Sequence, residues 1–283
     1  MNEETDNTAG TDLPACEHLA LRVDAWRLHV TLNRPQVRNA MSFAMVRELT
    51  AVFEAIADRR ELRAVILRGA GGNFCAGGDI KDMASIRAAK PDGERDPVAD
   101  GNRLFGTMLT RIDRAPQAVI AVLEGAVMGG GFGLACVSDV AIAARGASFR
   151  LPETSLGLPP AQIAPFVVAR VGLTTARRLA VTGGRFSGDE ARALGLVHFV
   201  GDAGELEGLL RQVLSDIQKC APGAVAVTKA LIHGAVADEA EREALLDWAA
   251  RAFASAVRGG EAMEGMMAFL EKRAARWDQE EGA

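Results

Sequence analysis

AVMGGGFGLACVSD, residues 126–139, places three consecutive glycines where a helix begins, directly after the apolar run AVIAVLEG (118–125). Glycine costs a helix roughly 1 kcal/mol relative to alanine, so the position demands a reason. One is that Gly129, Gly130 and Gly131 expose N–H groups at a helix N-terminus, where the first turn lacks internal acceptors and the macrodipole is positive. Such a spot favours an anion. The other is that missing side chains let the helix approach another backbone closely. A second glycine-rich turn, GAGGNFCAGGDIKDM (69–83), follows RAVILRG (63–69) and opens another helix at Asp79. Two such turns can bring two N–H donors onto one oxygen, forming an oxyanion hole. A phosphate cradle fits poorly, because neither stretch has the G-x-x-x-x-G-K-[ST] or G-x-G-x-x-G spacing.

Working outward, HLALRV (18–23) and WRLHVTL (26–32) alternate as a hairpin would. A helix fits 43–59, with Phe43, Val46, Leu49, Phe53 and Ile56 on one face. RAVILRG, QAVIAVLEG and SDVAIAA are short, continuous apolar runs, the pattern of strands buried on both faces. This predicts an α/β core with right-handed crossovers. RAAKPDGERDPVADG (87–101) is charged and carries Pro91, Gly93 and Pro97, and reads as a mobile surface loop. From about 204 the strands stop and helical periodicity takes over. The organisation expected is a disordered tail over 1–16, a core over 17–203 and a helical region over 204–283.

Composition narrows the function. With 283 residues, 49% hydrophobic and 24% charged, the chain can bury a sizeable core. A net charge of −5 argues against nucleic acid and anionic membranes as partners. Four cysteines without CxxC spacing and four histidines without an HExxH pair predict reduced thiols and no zinc. The polar, acidic N-terminus has no signal-like apolar segment, and no stretch reaches a membrane span, so a cytoplasmic location is expected.

Taken together, NRPQVRNAMS, NFCAGGDIKDM, AVLEGAVMGGGFGLACVSDVAIA, FRLPETSLGLPP, VTGGRFSGDEARALGLVHFV and a terminal FLEKR resemble the enoyl-CoA hydratase/isomerase (crotonase) superfamily across residues 18–275. The resemblance implies a spiral of ββα units with a C-terminal helical trimerisation region, assembled as a homotrimer or a hexamer. It implies an acyl-CoA thioester substrate, with no cofactor beyond the CoA that the substrate carries. Gly78 and Gly130 match the positions whose N–H groups hold the thioester oxygen. Ala76, Asp79 and Ile80 match positions lining the adenine end of CoA, and Arg38 and Ala40 the loop beside its pantetheine and phosphates. Phe269 and Lys272 match C-terminal positions that reach the CoA of a neighbouring subunit.

One departure stands out. Typical hydratases carry two glutamates, whereas this chain has Gly133 at the first position and retains only the second, Glu153. A single glutamate can shuttle a proton in a double-bond isomerase, or can hydrate alone; an inactive relative is disfavoured by the intact glycine pair. PAQIAPFVV (160–168), combined with Gly133, resembles the branch that hydrates 3-substituted glutaconyl-CoA thioesters, with isohexenylglutaconyl-CoA (acyclic terpene breakdown) favoured over 3-methylglutaconyl-CoA (leucine breakdown). Such a substrate carries its own carboxylate, which a second protein carboxylate would repel, and Gly133 would free volume for a branch. Isomerase is the alternative, and RNA binding a lesser one.

Other residues have plainer readings. Glu124 could approach the site or stay solvated, and Asp139 more simply orients backbone. Cys75 and Cys136 read as buried inert thiols, and His198 as packing. Arg150, three residues before Glu153, could lower its pKa or bind a distal substrate carboxylate.

Overall fold

The alternating segments near the N-terminus form an antiparallel hairpin of β1 (Leu19–Asp24) and β2 (Arg27–Leu32). The structure is a computed structural model that describes residues 13–273 apart from 88, 94, 237 and 238; of the expected tail over 1–16, residues 1–12 lie outside the described residues, whereas Leu13 and Cys16 pack against the main core. Helix α1 (Phe43–Ala55) starts at Ser42, whose hydroxyl accepts the Met45 N–H at 3.2 Å, and buries Met45, Val46, Leu49, Val52 and Phe53. It stops four residues short of the predicted 59. The buried amide of Gln117 donates to the Ile56 and Arg59 carbonyls at 2.7 and 3.2 Å, capturing acceptors that another helical turn would have used.

The continuous apolar runs are strands. β3 (Ala64–Gly69), β4 (Ala118–Leu123) and β6 (Val140–Ala144) pair in parallel, and with the hairpin and β9 (Phe199–Gly201) complete a six-stranded sheet of order β1-β2-β3-β4-β6-β9. Alternate residues serve opposite faces. Val65, Leu67, Val119 and Ala121 join the main core with α1, whereas Ala64, Ile66, Ile120, Val122 and Ile142 meet Leu206, Leu210, Val213 and Leu214 of α7 (Leu206–Gln218). Each such leucine or valine contributes roughly 1.5–3 kcal/mol on burial.

A smaller sheet positions the site. β5 (Ala126–Met128) pairs in parallel with β7 (Ser148–Arg150), which pairs antiparallel with β8 (Phe186–Ser187). The apolar run 118–128 is therefore two strands in two sheets, broken at Gly125 with φ 54°. α2 (Ile80–Arg87), α3 (Pro97–Asp113), α4 (Gly130–Cys136), α5 (Ala164–Thr182) and α6 (Gly188–Ala193) connect the strands. The expected loop over 87–101 is helical from Pro97, because Asp96 accepts the Val98 and Ala99 N–H groups and proline suits the first helical position.

The C-terminal helices α8 (Pro222–Val236), α9 (Glu239–Arg258) and α10 (Gly260–Leu270) follow α7. α9 and α10 fold back on the same chain. Ala250, Ala254 and Val257 of α9, with Ala262 and Met266 of α10, bury against Val98 and Ala99 of α3 and against Leu158. Arg258 pairs with Asp96 at the α3 start.

Candidate active site

The two glycine turns meet because short parallel bridges draw their backbones together. Cys75 bridges to Val127, donating to the Ala126 carbonyl at 2.9 Å and accepting the Met128 N–H at 2.9 Å. Met41 bridges to Gly78, donating to the Gly77 carbonyl and accepting the Asp79 N–H at 2.8 and 2.9 Å. In a parallel bridge these bonds go to the residues flanking the partner, so the N–H of Gly78 itself points the other way. It has no acceptor among the described residues, and neither has the N–H of Gly130, first residue of α4. Both glycines line one cavity of about 720 Å³.

Glycine at the start of α4 is now explained. Gly129 has φ 47°, and a β-carbon there would stand 2.9 Å from Glu153 Oε1. At Gly131 a β-carbon would stand 2.6 Å from that of Cys75. The costly residues are there for close approach and an unusual backbone turn.

Glu153 arrives by the parallel pairing of the small sheet. Met128 of β5 is in register with Arg150 of β7, so Gly129 and Glu153 both emerge beyond the same ends of adjacent strands. A 3₁₀ turn, Glu153–Leu156, holds the carboxylate over Gly129. α10 braces this turn from the same chain, since a β-carbon on Gly265 would meet the Leu156 backbone at 2.5 Å. Among the described residues three carboxylates line the cavity, Asp79, Asp82 and Glu153. Asp79 is bound by Arg34 at 2.8 Å, and Asp82 accepts the Phe43 N–H at 2.6 Å. Glu153 alone has a buried oxygen, Oε2, with no partner. Burial pushes its pKa up to about 7, against the weaker downward pull of the Arg150 charge. The sequence expectation that Arg150 lowers this pKa gives a real but losing contribution.

The CoA-binding expectations divide. Arg38, Ala76, Asp79, Ile80 and Phe269 line the cavity, whereas Ala40 and Lys272 do not. The Ala40 carbonyl instead accepts from Arg34. Asp79 is occupied structurally: burial raises its pKa, but Arg34 and the Lys81 and Asp82 N–H groups outweigh that and hold it below the usual carboxylate range. Phe269 lines the cavity of its own chain, carried there by α10, which folds back on the Glu153 turn.

Position 133 also differs from expectation. Gly133 is buried and lies off the cavity lining: a β-carbon there would lie 3.3 Å from Leu109 and 3.5 Å from Ile163. Apolar side chains seal the place where typical hydratases carry a carboxylate. Glu124 is absent from the cavity lining. Asp139 does orient structure, accepting the Val119 N–H at 2.7 Å and Lys229 Nζ at 2.6 Å. Cys75 and Cys136 are buried thiols whose pKa values burial raises to about 11 and about 12. His198 Nδ1 accepts the Ala141 N–H at 3.0 Å. Sequence reasoning did not single out Arg185, Asn102 or Gln162, which also line the cavity; Asn102 Oδ1 and Gln162 Oε1 are buried without partners.

Among the described residues no cluster of His, Cys, Asp or Glu is arranged to hold a metal, and no helix is long and apolar enough to cross a membrane. The enoyl-CoA hydratase/isomerase family model matches residues 27–280. The chain belongs to that family, and it is an enoyl-CoA hydratase-type enzyme acting on an acyl-CoA thioester. It resembles the solved structure of Pseudomonas aeruginosa AtuE, at 57% identity and TM-score 0.76 over 93% of this chain and 100% of that one. An enoyl-CoA hydratase/isomerase from Marinobacter aquaeolei is 52% identical with TM-score 0.76, again over 93% of this chain and 100% of that one. The mevalonyl-coenzyme A hydratase sidH of Aspergillus fumigatus is 31% identical over 255 residues, 88% of this chain and 90% of that protein.

Proposed function

We propose that the chain hydrates the conjugated double bond of a branched, 3-substituted glutaconyl-CoA, with isohexenylglutaconyl-CoA the preferred substrate over 3-methylglutaconyl-CoA. The observation that carries hydration by one residue is the Glu153 carboxylate, among the described residues the sole cavity carboxylate with an unpartnered buried oxygen, beside two glycine N–H groups that have no acceptor there. The branch assignment is supported by PAQIAPFVV and glycine at 133. The name of the mevalonyl-coenzyme A hydratase agrees with it, since mevalonyl-CoA is substituted at carbon 3. Met41, Phe43, Met83, Phe105 and Phe253 give the cavity an apolar wall suited to an alkenyl branch.

In this mechanism the Gly78 and Gly130 N–H groups hold the thioester oxygen. Glu153, as carboxylate, takes a proton from water while the water oxygen bonds to carbon 3. The double-bond electron pair moves toward the thioester oxygen as an enolate. Glu153 then returns the proton to carbon 2, so one carboxyl group completes the addition. Arg38, Ala76 and Ile80 flank the CoA. Copies of the chain associate as a trimer or hexamer, a reading supported by the exposed Val227, Leu231 and Ile232 of α8.

The test is mass spectrometry in deuterated water with isohexenylglutaconyl-CoA, 3-methylglutaconyl-CoA, crotonyl-CoA and a 3-enoyl-CoA, with Glu153→Gln alongside. Gain of one water on a glutaconyl thioester, lost in the variant, is expected. A shifted double bond with deuterium exchange and no added water would instead establish an isomerase using the same Glu153.

A further inference from the structure

Several arginines near the cavity are already matched to acids. Arg34 pairs with Asp79, Arg103 with Glu243 and Asp247, Arg258 with Asp96, and Arg273 with Glu264. Arg150 and Arg185 are different. Both line the cavity on the side of Glu153, together with Ser155 and Thr182, and neither has an ion pair among the described residues. Arg150 is half-buried and held in one orientation: Nε donates to the Gly183 carbonyl at 2.6 Å and Nη2 to Ser155 Oγ at 3.1 Å. Arg185 is anchored more loosely, with Nη1 3.5 Å from Ser148 Oγ.

From this placement, and resting on the glutaconyl reading above, we infer that Arg150 and Arg185 form the seat for the carboxylate at the far end of the acyl chain. Two like charges brought together with no ion pair to either repel each other, and the Glu153 charge offsets only part of this for Arg150. Burial first, and Arg185 second, push the Arg150 pKa below its ordinary value. An anion between them removes that repulsion and gains charge-assisted, geometrically directed hydrogen bonds. The Ser155 contact ties Arg150 to the same 3₁₀ turn that carries Glu153. The distal carboxylate of a glutaconyl chain is two bonds from carbon 3, so a seat beside Glu153 sets the reacting carbon at the acid/base group. The same cations shield the substrate carboxylate from the Glu153 carboxylate, which must itself be charged to accept a proton from water. Arg38 lies on a separate segment, 34–41, and is left for the CoA moiety.

The test uses saturated thioesters, which cannot be hydrated, so that binding is read apart from turnover. Affinities of glutaryl-CoA and butyryl-CoA are measured by calorimetry for the wild type, Arg185→Gln and Arg150→Gln, with melting temperatures recorded for each. The wild type is expected to bind glutaryl-CoA about tenfold or more tighter than butyryl-CoA. Either variant should weaken glutaryl-CoA several-fold more than butyryl-CoA. Because Arg185 is exposed, its variant keeps the test valid if Arg150→Gln fails to fold. Equal wild-type affinities overturn the inference. So does an equal loss for both ligands, which would assign the arginines to a CoA phosphate. Failure of glutaconyl hydration with glutaryl selectivity intact would refute the reaction and keep the seat.

Discussion

Gly129 and Glu153 share a space that holds one of two things, a β-carbon or a carboxylate oxygen: a side chain on Gly129 would begin 2.9 Å from Glu153 Oε1. Gly129→Ala must therefore displace the carboxylate while also forcing alanine to φ 47°. The backbone conformation alone costs about 1–3 kcal/mol. The expected outcome is a kcat reduced by at least about tenfold, since misplacing a reacting group by an ångström is that costly or more. Steady-state kinetics and thermal melts check both effects.

The Glu153 carboxyl, raised to about 7 by burial, gives two pH signatures of opposite sign. Activity needs the carboxylate, so kcat/KM should rise with unit slope up to about pH 7 and level off above it. Stability runs the other way. The folded-state pKa lies above the reference 4.5, so between these values the native protein holds a proton the unfolded chain has released. Stability is full below that window and falls as pH rises through it, by up to about 3 kcal/mol. Glu153→Gln should remove the penalty, melting above the wild type at pH 8 and level with it near pH 4.5. Equal melting at both pH values would refute an elevated pKa.

Restoring the missing carboxylate should not restore ordinary hydratase chemistry. In Gly133→Glu the new side chain starts 3.3 Å from Leu109 and 3.5 Å from Ile163, in apolar surroundings. Overpacking of this kind costs about 1–3 kcal/mol, and burying an unpaired charge adds to it. The variant is expected to be less stable by chemical denaturation and slower on a glutaconyl thioester. Faster glutaconyl hydration would count against the account of position 133.

Lys229 links α8 to the sheet, donating to the Gln117 carbonyl at 2.9 Å and to Asp139 at 2.6 Å. Lys229→Met leaves the buried carbonyl without its donor and Asp139 without its cation. Asp139 keeps some solvent, so the expected loss is about 2 kcal/mol, below that of a fully buried pair. Activity per folded molecule should hold, because Lys229 and Asp139 lie off the cavity lining.

Residues whose roles come from local backbone chemistry could be read in advance. The runs around Ala64–Gly69 and Ala118–Leu123 announced two-faced burial by continuous apolar content, and the glycine turns announced free N–H groups. The α3 start at Asp96-Pro97 was also written locally, as a cap followed by proline, but the charged composition of 87–101 obscured it. What could not be read was tertiary. Nothing near Gly133 in sequence says that Leu109 and Ile163 close over it. Likewise Gly265 becomes meaningful only once α10 lies on Leu156, and Arg185 only once β8 pairs with β7 and brings it beside Arg150.

The return of α10 onto the turn that carries Glu153 lets one copy of the chain bring its catalytic residues together by itself. Gly78, Gly130, Glu153 and Phe269 all line it from one polypeptide. Subunits in an assembly would then work as independent stations. Oligomers assembled from mixtures of wild-type and Glu153→Gln chains should lose activity in direct proportion to the variant fraction, tracing a straight line. A curve bending below that line would reveal subunits that lend one another parts.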